Sequence, residues 1–210
     1  MFMRQRNVKN KKEIIELSDY VIKEPTIFKN NWKKVFNNNN PIYLEIGMGK
    51  GDFIKENALK YPKINFIGIE KYDSIMAIAI KKMEKNIPNL KLIRMDALNL
   101  SDVFDKEIDK IFLNFSDPWP KPRHEKRRLT SEIFLKKYDE IFKKKQCLEM
   151  KTDNRKLFEY SLQSFVKHGY MIDDISLNLH QDNYENNIMT EYERKFSENG
   201  NIIYYIKVVK

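Results

Sequence analysis

A carboxylate that opens a dense cationic loop is the feature of this sequence best suited to chemistry. Asp117 begins the run DPWPKPRHEKRR at residues 117–128, which directly follows an apolar stretch at residues 111–115. The stretch is typical of a buried strand, and the prolines after it indicate a stiff loop. Open α/β sheets place their chemistry at the carboxyl ends of strands, and a cationic loop suits a phosphate backbone. The pattern therefore favours an enzyme that acts on a nucleic acid.

The side chains of this loop each allow more than one interpretation. Those predicted to contact RNA are Lys121, Arg123, His124, Lys126, Arg127 and Arg128. A solvated helix start is one interpretation of four of them, but positive charge is unfavourable at a helix N-terminus, so a compensating phosphate is the favoured interpretation. The four are Arg123, Lys126, Arg127 and Arg128. His124 is interpreted as a phosphate or hydrogen-bonding contact rather than a base. Trp119 could stack on an RNA base or pack beneath its flanking prolines, and packing is favoured.

A second candidate site follows the first predicted strand. A GxGxG turn at residues 47–51 comes soon after Glu45 and lets the backbone approach a ligand closely. Glu70 ends the next predicted strand, where an acidic residue can hold ribose hydroxyls, and Asp96 ends the third, where it can hold an adenine amino group. One such carboxylate is usually a helix cap or a solvated side chain, but three at successive strand ends favour a cofactor site. The residues that form it are Glu45, Gly47, Gly49, Gly51, Glu70, Asp96 and Ala97.

The elements that position these residues follow from the apolar pattern. Strands are predicted at residues 42–46, 64–69, 90–95, 108–115 and 146–150, with helices near 51–60, 73–85, 130–143 and 153–167. This alternation predicts an α/β fold with a parallel sheet. Residues 170–179 and 201–209 indicate an antiparallel closing pair of strands on an otherwise parallel sheet, with no clear helix between them. We expect one domain at 41–210 after a basic extension at 1–40 that is partly helical or flexible.

Composition limits the class of protein. The 210 residues are 41% hydrophobic, enough for one core, and carry a net charge of +9. This charge favours a polyanionic partner, but abundant lysine can reflect the composition of the whole genome. The cluster of cations at residues 121–128 is therefore the stronger indication. Cys147 is the only cysteine and its neighbours are strand-like, which predicts a packed thiol in a cytoplasmic protein. We expect no secretory signal, no membrane span and no metal site.

The motifs resemble those of a known family. The glycine turn and its acidic residues resemble class I S-adenosylmethionine-dependent methyltransferases. LEIGMGKG, GIEKYDS, RMDA, SDPWPKPRHEKRR, MKTDN and TEYE together resemble the bacterial tRNA (guanine-N7)-methyltransferase family from about Tyr43 to the end. The resemblance implies a Rossmann-like, mostly parallel sheet of order 3-2-1-4-5-7-6, its last strand antiparallel, with helices on both faces. It also implies S-adenosylmethionine as cofactor, S-adenosylhomocysteine as product, and methylation of a guanine in the variable loop of tRNA.

The resemblance also assigns site residues. It implies cofactor contacts at Glu45, Glu70, Asp96 and Asp117, and substrate contacts at Lys121, Asp153, Thr190, Glu191, Tyr192 and Glu193. In the last segment, Thr190 and Glu193 are expected to hydrogen-bond the edge of a guanine. From spacing alone, the same segment would be an ordinary polar loop that leads into the last strand.

Guanine N7 sets modest chemical demands. It already carries a lone pair, so no strong general base is needed before methyl transfer. The enzyme must mainly hold N7 close to the methyl carbon and in line with the sulfur, and a nearby carboxylate can stabilise the charge that the base gains. We interpret Asp117 as this catalytic group, with an orienting and electrostatic role, and Asp153 as the second candidate.

Other functions are weighed against this one. A dinucleotide-dependent dehydrogenase would prefer a third glycine at different spacing. A methyltransferase for another RNA or a small molecule is the second enzyme hypothesis, and the basic loop argues against a small substrate. A catalytically silent tRNA-binding module is the rival from another class, which the intact cofactor motifs argue against. A monomer is expected, with a homodimer as the alternative.

Overall fold

A seven-stranded sheet forms the centre of the protein. The computed structural model describes residues 8–83, 86–182 and 184–210. The strands are β1 Ile42–Ile46, β2 Asn65–Glu70, β3 Leu90–Arg94, β4 Lys110–Asn114, β5 Cys147–Thr152, β6 Met171–Ser176 and β7 Tyr204–Val209. Their order is β3-β2-β1-β4-β5-β7-β6, and β7 pairs antiparallel with both of its neighbours. The predicted order and the antiparallel last strand are confirmed.

Helices cover both faces of this sheet. They are α1 Lys11–Glu16, α2 Trp32–Phe36, α3 Asp52–Lys60, α4 Asp73–Lys82, α5 Leu100–Val103, α6 Glu132–Ile141, α7 Arg155–Lys167 and α8 Glu191–Glu198. Alternate residues of β2 enter different apolar clusters, because successive side chains of a strand point to opposite faces. Phe66 packs with residues of α3 and α4, whereas Ile67 and Ile69 pack with residues of α2, α5, α6 and α7. The four helices predicted near 51–60, 73–85, 130–143 and 153–167 correspond to α3, α4, α6 and α7.

One helix contradicts the sequence prediction. We expected no helix between the last two strands, but α8 lies there. Its N-cap is Thr190, whose hydroxyl oxygen accepts a hydrogen bond from the backbone N–H of Glu193 at 2.9 Å. Thr-x-x-Glu is the sequence of a capping box, so the polar composition of TEYE hid a helix start rather than a loop.

The described part of the first forty residues packs on the same core. Val21 forms a parallel bridge with Leu92 of β3. Trp32 is fully buried, and its indole N–H donates to the carbonyl of Val103 at 2.9 Å. The boundary near residue 40 stays a prediction, and the basic residues Arg4 and Arg6 lie outside the described residues.

Other expectations from composition can be placed in the structure. Cys147 lies half-buried at the start of β5, where burial raises the pKa of its thiol, as expected for a packed side chain. Within the residues described, no helix has the length and apolar character needed to cross a bilayer. The same residues contain no group of three or more His, Cys, Asp or Glu side chains that could hold a metal ion. The absence of a metal cofactor stays a prediction.

Trp32→Ala should lower the free energy of unfolding by about 3–5 kcal/mol, because it removes a buried aromatic side chain and leaves a cavity. The indole contacts the rings of Phe28 and Phe104. The substitution would also leave the carbonyl of Val103 without its hydrogen-bond donor. Urea unfolding measures the change. The control is Ile27→Ala, whose side chain is 64% exposed, and a comparable loss in both variants would contradict a core role for Trp32.

Candidate active site and RNA interface

The glycine turn after β1 leaves open space for a ligand. Gly47 and Gly49 have φ angles of +76° and +58°, and a Cβ built on either meets nothing within 4 Å. Their positive φ disfavours other residues, and the open space allows close approach of a ligand to the backbone. Gly51 differs, because a Cβ there would lie 2.7 Å from Met83 and 3.2 Å from Ala79. Gly51 therefore serves the packing of the turn against α4.

Glu70 ties the turn to the end of β2. One carboxylate oxygen accepts from the backbone N–H of Gly49 at 3.2 Å, and the other from that of Tyr72 at 2.8 Å. Burial, and to a lesser extent the charge of Asp117, raises the pKa of Glu70. Glu70 and Asp117 therefore act within one electrostatic site, although Asp117 itself is exposed.

Asp96 combines a cap with an exposed ion pair. Its side chain accepts from the backbone N–H of Leu98 at 3.0 Å, and Lys71 donates to its other oxygen at 2.6 Å. It thereby caps a short 3-10 helix, Ala97–Asn99. Asp96 is thus a helix cap next to the buried Ala97, which is the alternative that the sequence allowed. Its role in binding a ligand stays a prediction.

Glu45 is the most unusual carboxylate of the site. It is 1% exposed, and one oxygen accepts from the side-chain amide of Asn114 at 2.9 Å. The other oxygen is buried without a hydrogen-bond partner among the described residues. Burial raises the pKa of Glu45 to about 8. An unpaired buried acceptor beside an open glycine turn fits a ligand that brings a hydrogen-bond donor or a positive charge.

The loop that follows β4 is held in a strained conformation. Phe115 and Trp119 have φ angles of +49° and +41°, a region that non-glycine residues rarely adopt. Arg128 fixes the loop, since its guanidinium donates to the carbonyls of Pro118 and Trp119 at 3.0 and 3.1 Å. The same group lies 4.2 Å from the ring of Tyr160. In this conformation the side chain of Arg128 is engaged within its own loop, and its RNA contact stays a prediction.

The other cations are arranged differently from the prediction. Pro122–Arg127 forms a 3-10 helix, and α6 begins only at Glu132, so the cluster does not lie at the start of a long helix. The argument from an unfavourable macrodipole therefore loses its basis. The exposed cations are Lys121, Arg123, Lys126 and Arg127. Their exposure keeps them available to a polyanion.

Trp119 and His124 pack against each other within this loop. Their rings meet edge to face with centroids 5.6 Å apart, and the guanidinium of Arg127 lies 4.9 Å from the Trp119 ring. The sequence favoured packing beneath the flanking prolines, whereas these contacts are with His124 and Arg127, and the indole remains partly exposed. Partial burial and the neighbouring charges of Arg127, Arg123 and Lys121 lower the pKa of His124. A neutral imidazole at this position suits a hydrogen-bonding role better than a charge contact.

The first turn of α8 reaches the same edge of the sheet. The hydroxyl of Tyr192 donates to Asp153 at 3.1 Å, and its ring lies 4.9 Å from that of Phe115. Glu193 is fully buried and pairs with Lys151 at 3.0 Å, while the amide of Asn187 donates to it at 2.7 Å. Glu193 therefore cannot reach a guanine edge in this conformation, which corrects the direct contact expected for it.

Sequence analysis missed several residues that shape the site. Lys151 donates to the carbonyl of Ile188 at 2.8 Å in addition to its pair with Glu193. Asn114 orients Glu45. Neither residue left a signal in the sequence, because β5 also contains Glu149 and an isolated lysine or asparagine is typical of an exposed position.

The comparisons with known proteins agree with this arrangement. A family model described as "Putative methyltransferase" matches residues 39–206. A tRNA (guanine-N(7)-)-methyltransferase of Bacillus subtilis (strain 168) is 50% identical over 197 residues, covering 93% of this chain and 92% of that protein. A protein of the same name from Lachnoclostridium phytofermentans is 50% identical over 205 residues, 96% of each chain.

Solved structures share the fold at much lower identity. A 16S rRNA (adenine(1408)-N(1))-methyltransferase from Catenulisporales acidiphilia, solved with its cosubstrate SAM, has a TM-score of 0.60 at 13% identity and covers 86% of this chain and 90% of that one. The strand order and the glycine turn define a class I methyltransferase fold. At the level of sequence, the chain belongs to the tRNA (guanine-N7)-methyltransferase family.

Glu45→Gln should change the pH dependence of stability. Because the folded-state pKa is raised to about 8 from 4.5, protonated Glu45 stabilises the wild-type fold below pH 4.5, and this contribution is lost as pH rises towards 8. Glutamine does not titrate. The variant should therefore gain stability relative to wild type between these limits, by at most about 1.4 kcal/mol per pH unit, and the difference should level off above pH 8.

Urea unfolding between pH 5 and 9 measures this difference. Glu140→Gln, at an exposed carboxyl, is the matched control for the loss of one carboxylate. A constant offset between wild type and Glu45→Gln across the range would contradict a raised pKa at Glu45.

Proposed function

We propose that this protein transfers a methyl group from S-adenosylmethionine to guanine N7 in the variable loop of tRNA. The observation that carries the proposal is the position of a cation-bearing, strained loop directly beside an open glycine turn. Relatives that are 50% identical and bear the name tRNA (guanine-N(7)-)-methyltransferase support it. A small substrate would not need the exposed cations at residues 121–127, whereas an RNA backbone would.

The cofactor would lie along the carboxyl ends of the first strands. S-adenosylmethionine supplies an electrophilic methyl group on a positively charged sulfur. Gly47 and Gly49 offer an open backbone surface, and the unpaired oxygen of Glu45 offers an acceptor for a cationic group. Glu70 would hold the ribose and Asp96 the adenine amino group, as carboxylates at these strand ends can do.

The residues at the ends of β4 and β5 would position the guanine. Asp117 is an exposed carboxylate at the end of β4, where it can orient the base and stabilise the positive charge that the base gains. Asp153 is the second candidate, and Tyr192 fixes one of its oxygens. N7 needs no proton removed, so these groups act as hydrogen-bond acceptors and fixed charges rather than as bases. The hydroxyl of Thr190 can still donate to the guanine edge.

Exposed cations would hold the RNA backbone. We assign this role to Lys121, Arg123, Lys126 and Arg127, while Arg128 maintains the shape of the loop that presents them. The proposal includes a catalytic unit at residues 41–210 that acts as a monomer in the cytoplasm. Light scattering coupled to size exclusion tests the oligomeric state.

A labelling experiment tests the whole proposal. Purified protein is incubated with methyl-labelled S-adenosylmethionine and unmodified tRNA, and the labelled nucleoside is identified after digestion. Label in 7-methylguanosine from the variable loop is the expected result. Label elsewhere would overturn the substrate assignment, and tRNA binding without label would support a silent binding module.

Asp117→Asn should reduce turnover by about 10²-fold, the cost of removing one preorganised electrostatic group. Its effect on the affinity for S-adenosylhomocysteine should be much smaller. Single-turnover methylation and calorimetric binding measure the two quantities. Glu70→Ala is the contrasting variant and should weaken cofactor binding first, because it removes the acceptor for Gly49. Unchanged turnover in Asp117→Asn would refute the catalytic role.

Arg127→Ala should weaken tRNA binding and flatten its salt dependence by about 0.7–0.9 in log Kd per log salt for each phosphate that the side chain no longer neutralises. Cofactor affinity should not change. Arg128→Ala should instead leave that slope close to wild type and speed hydrogen exchange at the backbone amides of Asp117, Trp119 and Lys121, because it removes the bonds to Pro118 and Trp119. An equal decrease of salt dependence in both variants would contradict this division of roles.

A further inference from the structure

One carboxylate connects the glycine turn to the first turn of α8. Glu191 forms ion pairs with Lys50, which lies within the turn, and with Lys82 at the end of α4. Lys82 also pairs with Asp52, the first residue of α3, at 2.9 Å. The contact between Glu191 and Lys50 spans 141 residues of sequence. Two lysines and two carboxylates therefore join the turn, α4 and α8 in one network.

The side chains at the start of α8 point to different parts of the site. Glu193 is directed into the core, where it pairs with Lys151. Tyr192 contacts Asp153 and Phe115, the residues that follow β5 and β4. Glu191 lies towards the glycine turn and is 46% exposed. The segment is thus anchored to the sheet by Glu193 and linked to the cofactor side of the site by Glu191.

Glu191 is poorly suited to contact RNA directly. A carboxylate at a phosphate-binding surface repels the backbone, and each oxygen of this one already accepts a hydrogen bond from an ammonium group. Its partners lie on the cofactor side rather than on the cationic loop. Since each ion pair of this exposure contributes little to stability, global folding does not explain the arrangement well. A link between the cofactor site and the RNA site explains the arrangement better.

We propose that Glu191 is a positioning residue that couples cofactor binding to tRNA binding. The inference rests on the proposed function. A ligand held by the glycine turn restricts the turn, and with it Lys50, in one conformation. A fixed Lys50 holds Glu191, and the start of α8 is thereby ordered next to Asp153 and Phe115 before the RNA arrives. By linkage, tRNA must raise the affinity for the cofactor by the same factor.

The coupling can be measured without turnover. The Kd of tRNA is determined with and without saturating S-adenosylhomocysteine, and the Kd of S-adenosylhomocysteine with and without tRNA. In wild type both ratios should be equal and at least about fivefold, the lower end of typical coupling between sites. In Glu191→Gln both ratios should fall to near one, while the Kd of S-adenosylhomocysteine alone changes little.

Variants of the partner residue separate positioning from other effects. Lys50→Gln leaves α8 untouched and should lose the same coupling, whereas Lys50→Arg should retain it. The double variant Glu191→Gln with Lys50→Gln should lose no more than either single variant, because both remove one interaction. Glu198→Gln removes an exposed charge from the far end of α8 and should keep the wild-type ratio. Thermal unfolding confirms that each variant is folded.

Three results would overturn the inference. Absence of coupling in wild type would remove its basis. Weaker tRNA binding by Glu191→Gln to the same extent with and without S-adenosylhomocysteine would make Glu191 a direct RNA contact. Additive losses in the double variant would show two independent roles. Failure of wild type to bind either tRNA or S-adenosylhomocysteine would instead overturn the proposed function, and this inference with it.

Discussion

The parallel pairing of β1 with both β2 and β4 is the constraint on which the site depends. Glu45 lies opposite Gly68 on one side and Phe112 on the other. The chain leaves β1 towards β2 but returns to its other side at β4, so the connections diverge and leave a crevice at the carboxyl ends. Every strand end that carries a candidate side chain opens at this edge. The register of these buried strands therefore determines where the loops place their functional side chains.

Buried charges lie beneath that edge and must be paired to be tolerated. Lys151 and Glu193 are 6% and 0% exposed and pair with each other, while Glu45 is buried beside Asn114. Removing a partner from such a group is costly, since the remaining charge stays desolvated. Lys151 is further bonded to the segment that leads into α8. The buried pair therefore sets the position of α8, and the more exposed contacts of Glu191 act on a helix that is already placed.

The sequence predicted the alternating strands and helices well and the contacts of individual side chains less well. Strands such as β1 and β2 are apolar runs bounded by turns, and their pattern carries its own signal. The helix α8 was missed because its cap, Thr190 with Glu193, is its main signal, and Tyr192 and Phe196 are the two aromatic residues in an otherwise polar segment. The paired state of Glu193 could not be predicted, because its partner Lys151 is distant in sequence and either residue alone is typical of an exposed position. Gly51 was grouped with ligand-binding glycines because spacing does not distinguish open space from contact with Met83.

The cationic loop illustrates why residue type alone does not assign a role. Left-handed conformations at Phe115 and Trp119 cost of the order of 1–3 kcal/mol each. Hydrogen bonds from a charged donor to carbonyls are among the stronger ones available to offset such a cost, and Arg128 supplies two of them. Arg127, its neighbour with the same side chain, lies against the ring of Trp119 and stays exposed. One arginine thus maintains the conformation that presents the other.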